Sequence, residues 1–229
     1  MTDNQSTNAS VDATTGDPAN GIRRTVIVIL CLICLMVTGF VWKINQPRAV
    51  RPQEMAANGF IFFDTPREIL PFELTNHRDE VVTLEDFKGK WTMVFPGFTQ
   101  CPDICPTTMA TLATMWDLLD SKPKKDLQVM MFSVDPHRDT TEQLALYVPY
   151  FNETFIGVRG DLLTTANLAA QLNIAFTIID PDTAPESYNV DHSSSIALIN
   201  PRGQYQGFFR APFDPPIMKL NYQSVWVQD

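Results

Sequence analysis

The pattern of apolar and polar positions divides the chain into a short N-terminal part and a longer C-terminal part. Residues 25–42 form an apolar run of 18 residues that contains no charged side chain. A run of this length is at the short end of what a membrane-spanning helix needs. No small-residue cleavage site follows it, which favours a retained anchor over a cleaved signal peptide. We therefore predict one transmembrane anchor over residues 22–43.

Polar segments flank the predicted anchor. Residues 1–21 are rich in Asn, Thr, Asp and Ser and show no periodicity, which is typical of a disordered tail. Residues 44–58 are mostly polar and include two prolines, and they predict a tether that holds a domain off the membrane. Two basic residues lie close before the apolar run and three lie after it, so the positive-inside count by itself slightly favours a cytoplasmic domain.

Residues 59–229 alternate between short apolar runs and amphipathic segments. Apolar runs of four to eight residues predict strands, and apolar side chains at a spacing of three or four predict helices. We predict strands over residues 60–64, 71–75, 81–83, 91–95, 127–134, 155–158, 174–179, 195–200 and 204–210. We predict helices over residues 107–119 and 139–150, after Asp161, and over 214–225. This alternation predicts an α/β domain in which helices flank a mixed sheet.

Two of these segments carry more specific signals. Residues 127–134 are mainly apolar, and we interpret this run as a central strand buried on both faces. Asp139 and Glu142 have the spacing of a capping box, so we predict that the next helix begins there.

The composition of the chain excludes some classes of function but says little about the fold. The formal net charge is −9, which argues against nucleic-acid binding. The chain has four cysteines, two of them inside the predicted anchor, so they do not form a disulfide framework.

The other two cysteines, Cys101 and Cys105, lie between a predicted strand and a predicted helix, and a proline follows each. A strand, a dithiol loop and a helix in this order is the thioredoxin-type arrangement, although the spacing here is C-x-x-x-C rather than C-x-x-C. The proline at 106 suits a first helical position, which makes Cys105 the expected N-cap. We expect the helix N-terminus to lower the pKa of this thiol.

A histidine far along the chain is the candidate third ligand. His192 follows Cys105 by 87 residues, at the start of a late predicted strand. In a thioredoxin-like sheet the loop before that strand faces the dithiol loop. Two thiolates and an imidazole select Cu(I), Cu(II) or Zn. We interpret the other histidines, His77 in a polar turn and His137 in a loop, as solvent-exposed.

Three motifs resemble one family. GFTQCPDICPTTM, SVDPHRDTTEQLALYV and Val190–Ser193 are similar, in this order, to the cysteine motif, the acidic loop with its helix and the histidine motif of the Sco/SenC family. Members of this family are thioredoxin-like copper proteins that serve the assembly of cytochrome c oxidase. The resemblance covers residues 60–213 and implies that Cys101, Cys105 and His192 bind one copper ion per chain.

Two carboxylates have lesser candidate roles, the first of them implied by the resemblance. Asp135 matches an acidic position near the family's metal site, and it is otherwise a residue that makes local hydrogen bonds. Asp103 lies between the cysteines, where it either tunes the thiolates or is simply a polar loop residue.

The function implied is that of a membrane-anchored copper chaperone. It would lie in the bacterial inner membrane with its domain in the periplasm, and it would deliver copper to the copper-receiving subunit of cytochrome c oxidase. Other copper chaperones are further candidate partners. The alternative is a thiol–disulfide oxidoreductase in which Cys101 attacks and Cys105 resolves, keeping the cysteines of the oxidase reduced. A peroxidase on the same scaffold would need an arginine for which the sequence shows no match.

Overall fold

A computed structural model describes residues 18–44, 50–179 and 188–228. The chain divides into two compact units, Met1–Pro47 and Arg48–Asp229. Most of the predicted tail, residues 1–17, and the loop over residues 180–187 lie outside the described residues.

The first unit contains one long helix, α1 (Pro18–Ile44). Within it, Ile22–Lys43 has a mean hydropathy of 2.7 over its most apolar window, and the apolar side chains of the span are exposed. At 1.5 Å per residue the span is about 33 Å long, which matches the hydrocarbon core of a bilayer. The helix thus has the position, length and composition expected for the predicted anchor.

The second unit is a mixed sheet with helices around it. Its strands are β1 (Phe60–Arg67), β2 (Glu73–Asn76), β3 (Val81–Thr83), β4 (Trp91–Gly97), β5 (Leu127–Ser133), β6 (Ile156–Arg159), β7 (Phe176–Ile179), β8 (Asn189–His192), β9 (Ile196–Ile199) and β10 (Tyr205–Phe209). Its helices are α2 (Pro52–Ala57), α3 (Ile104–Leu118), α4 (Ser121–Lys125), α5 (Thr141–Phe151), α6 (Leu162–Gln171) and α7 (Pro215–Gln228), with a 3-10 helix over Leu84–Phe87.

Eight strands form one sheet in the order β1-β10-β9-β4-β5-β6-β2-β3. Strands β4, β5 and β6 run parallel, and the other neighbouring pairs are antiparallel. Strands β7 and β8 form a separate two-stranded sheet. The mixed α/β architecture expected from the alternation of apolar runs is confirmed.

The centre of the sheet positions the candidate site. Every residue of β4 is buried, which fits its continuous apolar run. The register of β4 against β5 pairs Gly97 with Ser133, so the two strands end side by side. The loops that follow them, which carry the cysteines and the acidic motif, therefore leave the same edge of the sheet. In open α/β sheets this carboxyl edge is where ligands bind.

The start of α5 differs from the prediction. Thr140 is the N-cap, and it forms a capping box with Gln143 rather than Asp139 with Glu142. The carboxylate of Asp139 is instead buried and accepts hydrogen bonds from Thr99 and Ser133. The carboxylate of Asp139 is occupied by the N–H and hydroxyl of Thr99 and the hydroxyl of Ser133. The next residue, Thr140, therefore caps the helix.

The predicted tether also contains structure. Residues 52–57 form the short helix α2, which contacts β1, and the side chain of Met55 is buried. Val50 is buried as well, and its N–H donates to the hydroxyl of Ser224 in α7 at 3.0 Å. The described part of the tether that follows residue 49 is therefore packed on the domain.

Candidate metal centre

The cysteine loop connects β4 to α3. Helix α3 begins at Ile104 with Asp103 as its N-cap, so Cys105 is the second helical residue and not the cap. The N–H of Thr107 makes the first helical hydrogen bond, to the carbonyl of Asp103 at 3.3 Å. Pro106 fits because the first turn of a helix leaves its N–H groups unbonded in any case.

Three donor atoms converge beside this loop. The Sγ atoms of Cys101 and Cys105 and a ring nitrogen of His192 all lie within 4.8 Å of one another. The Sγ of Cys105 is 3.6 Å from Nε2 of His192, and the Cys105 N–H donates to the Sγ of Cys101 at 3.4 Å. Both thiols are free. The structure therefore brings together the three side chains predicted as ligands.

The imidazole of His192 is oriented by its surroundings. His192 ends β8, where it pairs with Phe176 of β7. Its Nδ1 is 3.0 Å from the carbonyl of Ser193, an acceptor only, so Nδ1 carries the proton and Nε2 presents its lone pair to Cys105. The ring also meets that of Phe98 edge to face, with 5.8 Å between centroids. A backbone carbonyl on the second ring nitrogen, like that of Ser193 on Nδ1, is typical of metal-binding histidines.

Burial dominates the electrostatics of the site. Cys105 is fully buried, and its pKa lies well above the ordinary value. Desolvation is the larger cause, and the hydrogen bond with the Cys101 thiol is the next. Desolvation likewise lowers the pKa of His192. The expectation that the helix N-terminus lowers the pKa of this thiol is therefore wrong for the metal-free protein, because loss of hydration outweighs the helix dipole.

Gly97 allows this close burial. A Cβ atom at Gly97 would lie 3.3 Å from the Sγ of Cys105 and 2.9 Å from Cε1 of Phe95. The thiol therefore packs against the bare backbone at the end of β4.

The donor set fits copper. Donors about 2.0–2.3 Å from a metal at trigonal angles lie about 3.5–4 Å apart, which fits the 3.6 Å between the Sγ of Cys105 and Nε2 of His192. Two thiolates and an imidazole suit copper or zinc, but structural zinc sites normally have four protein ligands. Among the residues that the structure describes, this is the one group of three or more His, Cys, Asp and Glu side chains with converging donors.

The two candidate carboxylates lie outside this set. Asp103 is exposed and lines a cleft of about 290 Å³ that also contains Cys101, Ile104 and His192. Asp135 is fully buried, and its carboxylate pairs with Nε of Arg138 at 2.5 Å.

The sequence alone did not point to the partners of Asp135 or to the burial of His77. Arg138 and Tyr188, which contact Asp135, were not singled out, although the charged run at the end of β5 was a usable signal. His77 was expected to be exposed but is buried, where its Nδ1 accepts the N–H of Gly157 at 2.9 Å. His137 is exposed, as expected.

Comparison with known proteins decides the family. The SCO1/SenC family model matches residues 64–225. The chain belongs to the SCO1/SenC family. The match reaches into α7, beyond residue 213, where the resemblance seen in the sequence ends.

Relatives of this SCO1/SenC protein come from bacteria and mitochondria. A protein of Stutzerimonas stutzeri that carries a provisional name as a copper-binding protein is 38% identical over 150 residues, which is 64% of this chain and 72% of that protein. The human mitochondrial SCO1 homolog is 34% identical over 140 residues, 61% of this chain. That alignment spans 46% of the human protein, so the chain matches less than half of its length.

Solved structures of Sco proteins share the fold. Arabidopsis thaliana ScoI with copper bound is 29% identical with a TM-score of 0.63, and the match covers 69% of this chain and 98% of that one. Yeast Sco1 with copper bound is 27% identical with a TM-score of 0.65, covering 72% and 90%. These likenesses confirm the thioredoxin-like fold expected from the sequence.

Proposed function

We propose that this protein binds one copper ion per chain through Cys101, Cys105 and His192 and delivers it to the copper-receiving subunit of cytochrome c oxidase. The observation that carries the proposal is the convergence of these three donors within 4.8 Å, in a family whose solved members include copper-bound structures. The oxidase as recipient follows from the family resemblance of the motifs.

The exposure of the donors suggests how the cargo is handed over. Cys105 is buried, whereas Cys101 is partly exposed at the cleft that also contains Asp103. Because three donors surround the site among the described residues, a thiolate of the recipient can approach from the cleft before Cys101 dissociates. The thiols lose their protons when the ion binds, and a departing thiolate regains a proton when the ion leaves.

The location we propose follows from α1. This helix would anchor the chain in the bacterial inner membrane and hold the domain in the periplasm. The net charge of −9 suits a recipient with a basic surface, because complementary charge speeds encounter. Other copper chaperones remain candidate donors of the ion.

The decisive experiment replaces the histidine. Full-length protein in detergent should bind one Cu(I), measured by competition with a chromogenic chelator under reducing conditions. His192→Ala should weaken the affinity by more than about tenfold, since loss of even an outer partner of a ligand costs about 10- to 100-fold. The exposed His137 provides the matched control, and His137→Ala should bind as the unmodified protein does. Equal affinity in His192→Ala would falsify the role of this histidine.

A thiol–disulfide oxidoreductase is the second candidate. Cys101 is the more exposed thiol and Cys105 the buried one, which is the order expected for attacking and resolving cysteines. Reducing a partner's disulfide would leave Cys101 and Cys105 joined, so a cellular reductant would have to restore them. The same His192→Ala variant separates the functions, because a reductase would keep its turnover without copper and without this imidazole.

A further inference from the structure

The side chain of Arg138 lies where three segments of the domain meet. Its Nε donates to the carboxylate of Asp135 in its own loop. Its Nη1 donates to the carbonyl of Tyr188 at 2.8 Å and to Oε1 of Gln100 in the cysteine loop at 3.2 Å. Only 10% of the Arg138 side chain is exposed. One guanidinium thus connects the acidic loop, the cysteine loop and the segment that precedes β8.

Tyr188 completes this connection from the other side. Its hydroxyl donates to Oδ1 of Asp135 at 2.5 Å, and its ring lies 3.7 Å from the guanidinium carbon of Arg138. Burial, together with the hydrogen bond to Asp135, raises the pKa of Tyr188 to about 12, so the hydroxyl keeps the proton that it donates. Tyr188 immediately precedes β8, a strand of four residues that ends in His192.

The acidic loop that carries Arg138 is itself fixed. The N–H of Asp139 donates to the carbonyl of Asp135 at 3.0 Å, and its carboxylate accepts the N–H and the hydroxyl of Thr99 at 3.0 and 2.6 Å. Thr99 lies two residues before Cys101. Residues 135–139 therefore contact the cysteine loop through Asp139 and the segment that precedes β8 through Arg138.

We propose that Arg138 is a positioning residue of the metal centre, whose guanidinium holds the base of β8 against the cysteine loop and so keeps His192 within reach of the two thiols before metal binds. The inference rests on the proposed copper site. It assigns Asp135 a role through Arg138 and Tyr188 rather than through the ion.

Lysine cannot replace this guanidinium. A single ammonium group can retain the ion pair with Asp135, but it lacks the planar set of donors that reaches Tyr188 and Gln100 at the same time. Arg138→Lys therefore removes the connection while leaving the buried carboxylate paired.

The test measures the metal-free, full-length protein first and copper second. In Arg138→Lys, amide hydrogen exchange in residues 188–193 should accelerate by about fivefold, the factor that corresponds to loss of one net hydrogen bond. Exchange in β4 and β5 should not change. Affinity for Cu(I) should fall by up to about fivefold, because Arg138 contacts no metal ligand and acts only through the fraction of molecules that hold His192 in place.

Arg159 provides the matched control. It reaches the same loop from β6, where its Nη2 donates to the carbonyl of Pro136 at 2.9 Å. Arg159→Lys should leave both the exchange of residues 188–193 and the copper affinity unchanged. The positioning role is overturned if Arg138→Lys exchanges in β8 as the unmodified protein does, or if both substitutions have the same effect.

A second variant keeps the test decisive if Arg138→Lys loosens the whole domain. Tyr188→Phe removes one hydroxyl and retains the ring under the guanidinium. Faster exchange confined to residues 188–193 in this variant supports the positioning role, and unchanged or domain-wide exchange overturns it. If the unmodified protein binds no copper, the proposed function fails, whereas the exchange measurements still decide the role of Arg138.

Discussion

Two of the three histidines lie in surroundings that disfavour their charged form. Desolvation lowers the pKa of His192, whose Nε2 faces Cys105, and also that of His77, whose Nδ1 accepts the N–H of Gly157. For His192 the neutral ring leaves a lone pair for a metal ion. For His77 the neutral ring leaves a lone pair for the backbone of β6. The same property therefore suits the proposed coordination at His192 and the packing at His77.

His77 should make the stability of the domain depend on pH. Because its pKa is lower in the folded protein than the ordinary value of 6.5, below pH 6.5 the unfolded chain takes up a proton that the folded protein does not. The free energy of unfolding should then fall as the pH falls from 7.5 to 5.5, by at most about 1.4 kcal/mol per pH unit for one site.

Urea denaturation at the two pH values measures this contribution. His77→Asn retains an acceptor near the position of Nδ1 but does not titrate, so its loss of stability over the interval should be smaller than that of the unmodified protein. The difference between the two proteins cancels the contribution of His192. Equal losses would show that the imidazole of His77 does not produce the pH dependence.

Among the elements, α7 has the most specific attachment to its neighbours. Gln223 donates to the carboxylate of Asp120 at 2.6 Å, and the indole of Trp226 donates to that of Asp126 at 2.9 Å. The buried hydroxyl of Tyr222 donates to the carbonyl of Pro123 at 2.8 Å. These contacts join the end of the chain to the segment that leads into β5.

Tyr222→Phe should destabilise the domain. The substitution leaves the carbonyl of Pro123 buried without this donor, which should cost about 1–3 kcal/mol. The free energy of unfolding from urea titrations of residues 48–229 measures the loss. Tyr150, whose side chain is 84% exposed, supplies the control, and Tyr150→Phe should change stability by less than about 0.5 kcal/mol. Similar costs in both variants would contradict the importance of the buried hydrogen bond.

Elements with a strong local signal could be predicted from the sequence. Strands β4 and β5 are mainly apolar, and both lie in the middle of the sheet. Strand β8 could not be found in this way, because Val190 is the one buried side chain of its four residues and its pairing depends on β7. The start of α3 was misplaced because the proline after Cys105 fits several positions of a first turn.

The candidate site shows the same division. Cys101 and Cys105 form a local motif, and the family resemblance identified His192. The link from Arg138 to Tyr188 spans 50 residues and exists only after the loops have folded together. Burial of Cys105 likewise follows from tertiary packing, so the direction of its pKa shift could not be derived from its position near a helix end.

At the scale of the whole molecule, the proposed function requires one orientation of the chain in the membrane. Arg23 and Arg24 precede the span, and Lys43, Arg48 and Arg51 follow it, so the charge count favours a cytoplasmic domain by a single residue. Delivery to the oxidase requires the domain to face the periplasm.

Protease protection tests this orientation. In spheroplasts of cells that express the chain with an N-terminal epitope tag, added protease should degrade residues 48–229 and spare the tag. Lysed spheroplasts, in which both parts become accessible, provide the control. A domain that survives until lysis would place it in the cytoplasm and rule out the periplasmic role.

The two halves of the metal centre differ in how firmly the fold holds them. Both sulfurs follow the central strand β4, whereas the imidazole belongs to the separate sheet of β7 and β8. Two-stranded sheets are only marginally stable alone, and small peripheral units open at lower free energy than a core. We therefore expect substitutions in β7, β8 and their attachments to change the residence time of a bound copper ion more than the melting temperature of the domain.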